Sequence, residues 1–398
     1  MRIVFICDSF VTRGGDSRIG LDLVQLLASQ GIPVKVLVGE THNGEVTSGV
    51  PVVSLEQKPL LLTSPRISVF RGLFNTTAYG ALNRLIDESD TPDTVYIVNA
   101  WTKILSPSIF AALNRIARRV LVYAHDYFIA CPNGGYFDFG HEEPCDRVPL
   151  SISCLATACD KRSYPQKIWR SGVGAMRRFT WNIGRNGSRI IAVHEGMVEY
   201  LTKAGIPERS ISIVRNPSKP FMTPPIKAES NREILYVGTL SAQKGFDVLV
   251  EALRERPWTV NIFGEGEISF ASAPHLLRHG FQPQERIAVA AARSRLLIMP
   301  SRQRETFGLA ALEALGAGIP VIVSRQALVS RDVKTHQCGL VLPSVNKTCI
   351  LKSVDELFAD DNKTAKFSRR GPYAHSLISP SYLQWTQQIL RIGESMLE

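Results

Sequence analysis

Short apolar runs alternate with longer helix-like segments along most of the chain. In the first half, Ile3–Cys7, Val34–Val38, Val95–Val98, Val120–Tyr123 and Ile190–Val193 read as strands. In the second half the same reading falls on Ile234–Val237, Val260–Phe263, Leu296–Met299, Pro320–Val323 and Leu340–Leu342. This alternation is the pattern of parallel α/β sheets. The spacing predicts a first helix over about 16–29, with Gly31 just beyond it as a stop. Ser106-Pro107 marks another helix start. Near the end, Tyr382, Trp385, Ile389, Ile392 and Met396 recur at intervals of three and four after Ser379-Pro380, one apolar stripe on a last helix.

Asn216-Pro217-Ser218-Lys219-Pro220 and Pro224-Pro225 interrupt the alternation, which restarts just after them. The predicted organisation is therefore an α/β domain over 1–215, a linker over 216–231, a second α/β domain over 232–375 and a closing helix over 376–398. A chain of 398 residues is comfortable for two domains.

Composition narrows the class. Hydrophobic residues at 44% and charged residues at 21% exclude a disordered chain. No apolar run approaches the roughly 18–20 residues that span a bilayer, and the opening run is too short for a signal-peptide core. A cytoplasmic location is expected. The net charge of +10 is concentrated: Lys161, Arg162, Lys167, Arg170, Arg177, Arg178, Arg185 and Arg189 have no acid among them, while Trp169, Phe179 and Trp181 are interleaved. Residues 161–189 are therefore a candidate for peripheral contact with an anionic membrane surface at the inner face. The alternative is a solvated helix with its aromatics turned into the core; nucleic acid is not an expected partner.

Four of the seven cysteines, Cys131, Cys145, Cys154 and Cys159, fall in a long Gly- and Pro-containing loop over 130–161. Loops of that length usually carry a function or a staple, and structural zinc is a candidate. Packing of small buried residues is the alternative.

The chemistry concentrates after the predicted strand Leu296–Met299, in Pro300-Ser301-Arg302-Gln303-Arg304-Glu305-Thr306-Phe307-Gly308-Leu309, with Glu313 further along the helix that follows. Ligands bind at the carboxyl ends of parallel strands. The free amides of Phe307, Gly308 and Leu309, opening a helix, suit a phosphate, and Gly308 allows close approach. Gly238-Thr239 follow another strand, with Lys244 six residues beyond Gly238, placed to neutralise a diphosphate. Gly264-Glu265-Gly266 repeat the strand-then-glycine device.

Together these three segments resemble the donor half of the family-four retaining glycosyltransferases, whose signature is Glu, seven residues, Glu. The likeness covers about residues 232–345. It implies a GT-B fold, α/β with two Rossmann-like domains facing across a cleft and the last helix crossing back to the N-terminal domain. It implies Gly14 and Gly15 beside the donor phosphates and His125, after the strand Val120–Tyr123, close to the reacting sugar. Glu305 would hold sugar hydroxyls. Lys244 and the amides of 307–309 would hold phosphate, joined in the donor site by Gly238, Thr239, Gly264, Glu265, Arg302 and Thr306, and Glu313 would hold ribose. Thr239 stands where the family often has arginine, and Arg302 is the candidate replacement charge. The implied partners are a nucleotide sugar and a polysaccharide or lipid-linked acceptor, with no cofactor or metal needed for catalysis. A nucleotide-sugar epimerase shares the two-domain plan without this motif spacing. An inactive nucleotide-binding or tethering module is the non-enzymatic alternative.

Overall fold

The computed structural model describes residues 1–10, 15–40, 49–183, 186–270 and 273–398. They form two compact units. One comprises Met1–Gly135, Asp146–Asn216 and Tyr382–Glu398, the other Tyr136–Cys145 and Pro217–Ser381.

In chain order the strands of the early part are β1 (Arg2–Cys7), β2 (Val34–Val38), β3 (Val52–Ser54), β4 (Thr94–Val98), β5 (Val120–Ala124), β6 (Phe137–Asp138), β7 (Glu143–Pro144), β8 (Arg189–Ala192) and β9 (Ile211–Ile213). Those of the later part are β10 (Glu233–Val237), β11 (Val260–Phe263), β12 (Leu276–Gly280), β13 (Ser294–Met299), β14 (Val321–Ser324) and β15 (Gly339–Leu342).

The first unit is built on a sheet of order β3-β2-β1-β4-β5-β8-β9 in which every pairing is parallel. Strands β4 and β5 are buried along their whole length, which is why they read as unbroken apolar runs. The order proceeds outward from the β1/β4 pair in both directions, so the crossover helices leave on opposite faces and a crevice opens at the carboxyl ends of β1 and β4.

The closing helix, Tyr382–Glu394, belongs to this first unit. Its apolar stripe is turned inward, with Trp385 and Ile389 buried. The indole Nε1 of Trp385 donates to the Tyr123 hydroxyl of β5 at 2.7 Å, and that hydroxyl donates to Asn216 Oδ1 at 2.7 Å. Gln30 Nε2, just past the first helix (Gly15–Ser29), donates to Thr386 Oγ1 at 3.1 Å.

The second unit carries a parallel sheet of order β12-β11-β10-β13-β14-β15. Its core joins Ile234 and Tyr236 of β10 and Leu296 and Ile298 of β13 to Leu249, Leu253 and Leu357 from the flanking helices. Here the order again runs outward from a central pair, β10 and β13, and the crevice lies at their carboxyl ends. The antiparallel hairpin β6–β7 also belongs to this unit.

The basic stretch differs from its expected role. Helix Tyr164–Thr180 starts at Ser163, whose hydroxyl accepts from Gln166 N at 3.3 Å. Lys167 and Arg177 of this helix are buried, and burial together with neighbouring Arg178 pushes the Arg177 guanidinium down to about 9. Arg170 pairs with Asp160 at 3.2 Å, and Arg178 donates to the Ala204 carbonyl at 2.9 Å. Among the described residues of the eight, only Lys161 and Arg162 are exposed; Arg185 lies outside the described residues. Trp181 is in the core as the alternative supposed, whereas Phe179 is 90% exposed.

Candidate active site

The crevice of the second sheet gathers the motif residues. Strand β10 ends at Val237, and the chain passes Gly238 and Thr239 to a single 3-10 turn, Ala242–Lys244, closed by Gly245 at φ +67°. A Cβ on Gly245 would sit 2.0 Å from the Pro300 carbonyl oxygen, so the loops after β10 and β13 touch backbone to backbone. The amides of Arg302 and Gln303 both donate to Gln243 O at 3.0 Å, which locks the two loops together. Glycine is required at this contact by both the left-handed φ and the approach.

This lock brings Lys244 and Glu305 into contact, an ion pair between Nζ and Oε1. Ser301 Oγ at 2.8 Å and Gln303 Nε2 at 3.2 Å donate to the same oxygen. Burial alone would push the Glu305 carboxyl up; the Lys244 charge and the three hydrogen bonds outweigh it and hold the group below its ordinary range. Among the described residues these side-chain bonds all fall on Oε1, which leaves Oε2 for another donor.

The loop after β11 lies alongside. Gly264, at φ +136°, comes so near Gly238 that a Cβ would stand 1.9 Å from its carbonyl oxygen. The Leu240 amide donates to Glu265 O at 3.0 Å, while the Glu265 side chain is exposed. After Glu305 come Thr306, half-buried, and Phe307, buried; Gly308, at φ +80°, then precedes helix Leu309–Gly316. Glu313 is buried in that helix, and its carbonyl accepts from Phe221 N at 3.0 Å.

Arg302 is committed elsewhere. Its guanidinium bonds Glu142 of the β6–β7 hairpin at 2.6 Å and Asp247 at 3.0 Å. The expected replacement charge beside Lys244 is thus engaged by two carboxylates, and Thr239, exposed, supplies none.

In the first unit, His125 stands at the end of β5 and stacks on Tyr123 with ring centroids 4.2 Å apart. Its Nε2 is 2.8 Å from Asn99 Oδ1, an acceptor, which places the proton on Nε2. Asn99 in turn packs on the first helix, where a Cβ on Gly20 would meet its Nδ2 at 2.7 Å. Asp8, at the end of the adjacent β1 crevice, accepts from the amides of Lys103, Ile104 and Leu105 at 2.8–2.9 Å. Gly15 opens the first helix, whereas Gly14 lies outside the described residues. Sequence reasoning missed Asn99, Asp8, Ser301 and Gln303. Each directly follows a strand or lies within the quoted motif, and that position was the available signal.

Three of the loop cysteines belong to the first unit. Cys131 Sγ is 3.1 Å from Asn133 Oδ1, Asn133 Nδ2 is 3.6 Å from Cys159 Sγ, and the buried Lys167 ammonium donates to Cys154 Sγ at 3.3 Å. Cys145 follows β7 in the other unit. Among the described residues, one group of three potential ligand atoms lies within 4.8 Å of one another: Asp138, His141 and Glu143 on the hairpin.

Two family models match. Residues 14–217 fit the glycosyl transferase 4-like domain, and residues 221–373 fit glycosyl transferases group 1. An uncharacterized glycosyltransferase of Methanocaldococcus jannaschii is 24% identical over 159 residues, 35% of this chain. A glycogen synthase of Mycobacterium tuberculosis is 27% identical over 273 residues, 61% of this chain. The chain spans 45% of the length of the first relative and 62% of the second. Among solved structures, Anabaena HepE in complex with UDP and glucose has a TM-score of 0.68 at 16% identity, covering 99% of this chain and all of that one. The sucrose-phosphate synthase of Thermosynechococcus elongatus reaches 0.71 at 15% identity, covering 100% and 99%. These structures share the fold of two Rossmann-like domains termed GT-B.

Proposed function

Because the chain belongs to the glycosyl transferase 4-like family, we propose that it moves a sugar from a nucleotide-diphosphate sugar to a polysaccharide or lipid-linked acceptor, with retention at the anomeric carbon. The observation that supports this most is the Lys244–Glu305 pair at the crevice of the second sheet. An ammonium has three donors, and Glu305 occupies one, so Lys244 can meet a diphosphate oxygen without releasing the carboxylate. Oε2 of Glu305 is then the acceptor for sugar hydroxyls. The amides that open helix Leu309–Gly316 favour the negative diphosphate, and Glu313 is the proposed partner of ribose. HepE was solved with UDP and glucose, and a nucleotide sugar is the donor proposed here.

In such a transfer the acceptor oxygen forms its bond to the anomeric carbon on the face from which the diphosphate departs, and a phosphate oxygen takes the acceptor proton. The protein's contribution is placement and stabilisation of the charge that grows on the leaving diphosphate. His125, held by Asn99 and Tyr123, is the proposed hydrogen-bonder to the reacting sugar. Structural zinc on Cys131, Cys145, Cys154 and Cys159 is proposed alongside. The Lys167 donation to Cys154 supports it, since such a bond favours the thiolate form that zinc binds.

A thermal-shift panel of UDP-, GDP- and other nucleotide sugars tests the donor. A ligand at about 100 times its Kd should add about 2.7 kcal/mol of stability, and slow release of nucleoside diphosphate should accompany the hit. A panel without any stabilising nucleotide sugar would sink the proposal.

A further inference from the structure

Six large exposed apolar side chains of the first unit lie within residues 61–74: Leu61, Leu62, Ile67, Val69, Phe70 and Phe74. Leu61 and Leu62, in the turn Leu60–Leu62, and Ile67 and Phe70, in helix Pro65–Leu73, all point outward, with Leu62 73% and Phe70 74% exposed. A contiguous apolar surface of this kind marks an interaction site more often than chance exposure.

The exposure does not come from loose attachment. Gly72 of the same helix lies so close to Trp169, on helix Tyr164–Thr180, that a Cβ would sit 2.2 Å from the indole. Trp169 Nε1 donates to the Val69 carbonyl at 3.2 Å, and Leu60 is buried beneath. One side of the segment is thus fastened to the unit and the other carries the apolar residues.

The charge along that segment has one sign. From Gln57 to Ile86 the chain holds Lys58, Arg66, Arg71 and Arg84 and no acid. Arg66, Ile67, Phe70 and Arg71 line a groove of about 420 Å³, and the Arg71 guanidinium donates to the Lys58 carbonyl, which ties the two basic residues together. Apolar side chains flanked by arginines suit the boundary between headgroups and acyl chains in an anionic bilayer. A second copy suits it poorly, because a two-fold interface sets the same patch against itself and would oppose arginine to arginine.

We propose that the segment 58–74 docks on an anionic membrane, with Leu61, Leu62, Ile67 and Phe70 entering the interface and Lys58 and Arg66 meeting lipid phosphates. This goes beyond the transfer reaction and moves the membrane contact away from residues 161–189, whose cations are largely spent inside the protein.

The test is flotation of the full chain with vesicles of phosphatidylcholine alone and with about one third phosphatidylglycerol. Wild type should float with the anionic vesicles only, and added salt should weaken the binding. Ile67→Ser with Phe70→Ser should weaken it by at least about tenfold, and Lys58→Gln with Arg66→Gln should remove the preference for anionic lipid. Phe179→Ser, which alters an even more exposed ring outside the segment, should change nothing. Thermal stabilisation by nucleoside diphosphate, read on every variant, reports folding and donor binding separately from docking. Failure of wild type to float at low salt, equal loss in Phe179→Ser, or undiminished binding by Ile67→Ser/Phe70→Ser overturns the proposal. So does a lipid-free dimer that the same double variant dissolves, which would assign the patch to a second copy.

Discussion

The Trp385 indole, thirteen residues from the end of the chain, donates 2.7 Å to the Tyr123 hydroxyl in the middle of the first sheet. Two residues beyond Tyr123 stands His125, stacked on the same phenol ring. The closing helix therefore buttresses a candidate site residue through one shared side chain. Tyr123→Phe should leave the Trp385 N–H and Asn216 without their buried partner and cost about 1–3 kcal/mol. Trp385→Ala should cost about 3–5 kcal/mol. Urea unfolding would measure both, and values near zero would deny the helix its structural role.

Glu305→Ala should lower turnover by roughly 100- to 1000-fold, by analogy with loss of one preorganised polar contact. Nucleoside diphosphate should still bind, whereas Glu313→Ala should weaken that binding itself. Comparing single-turnover rates with calorimetric affinities separates the two. Variants within twofold of wild type on both measures would remove the donor-site assignment.

Lys244→Met should reduce diphosphate affinity by about 1.5–3 kcal/mol, the range for a hydrogen bond to a charged group. It should also unmask the effect of burial on Glu305. In wild type the Glu305 carboxyl is depressed below its unfolded value of about 4.3. The stability this gives is present above that value and is lost as pH falls through the lower folded value. The stability gap between wild type and Lys244→Met should be widest at neutral pH, begin to narrow where the raised Glu305 carboxyl of the variant takes up its proton, and close as pH falls through the depressed wild-type value. A gap independent of pH across that window would show that the pair is not ionic.

Gly245→Ala combines a left-handed φ with a Cβ 2.0 Å from a backbone oxygen. The neighbour is main chain and cannot swing aside, so the loops after β10 and β13 must part. Loss of stability of about 1–3 kcal/mol is expected, together with loss of the Lys244 effect on donor affinity. Retention of full donor affinity would show that the loop lock does not position the lysine.

Zinc on the cysteine loop predicts close to one equivalent of metal by elemental analysis, with chelation exposing residues 130–161 to protease. Metal-free protein with an unchanged digestion pattern would leave only packing to explain the cysteines.

The central strands were legible because they are buried on both faces, so β1, β4, β5, β10 and β13 appear as unbroken apolar runs. Of the strands that escaped the sequence, β3, β9 and β12 stand at sheet edges, where one flank is open and burial is partial or patchy, and β6 and β7 are only two residues long each. Half-exposed edges need no apolar run. Glu305, Lys244 and the glycines were legible as a motif, but the donors that hold Glu305 were not. Ser301 and Gln303 lie four and two residues before Glu305, and their side chains fold back on it within one irregular loop that carries no helical or strand period to announce the contact. The basic stretch misled for a related reason. Lys167 and Arg177 look like surface charge until the cysteine Sγ and the packed helix around them are seen.

The chain that begins the first unit also ends it, because Tyr382–Glu398 is its last piece. A ribosome delivers the seven strands of that sheet early, yet the indole that caps Tyr123 emerges only after the whole second unit has been made. During synthesis the first domain must wait with its Trp385 socket open and an apolar groove uncovered, while the second can close as soon as its own strands are out. Domains usually mature in the order in which they are translated; here the domain translated first is completed last. Nascent chains stalled before residue 382 should therefore bind chaperone through the first domain, even when the second is already folded.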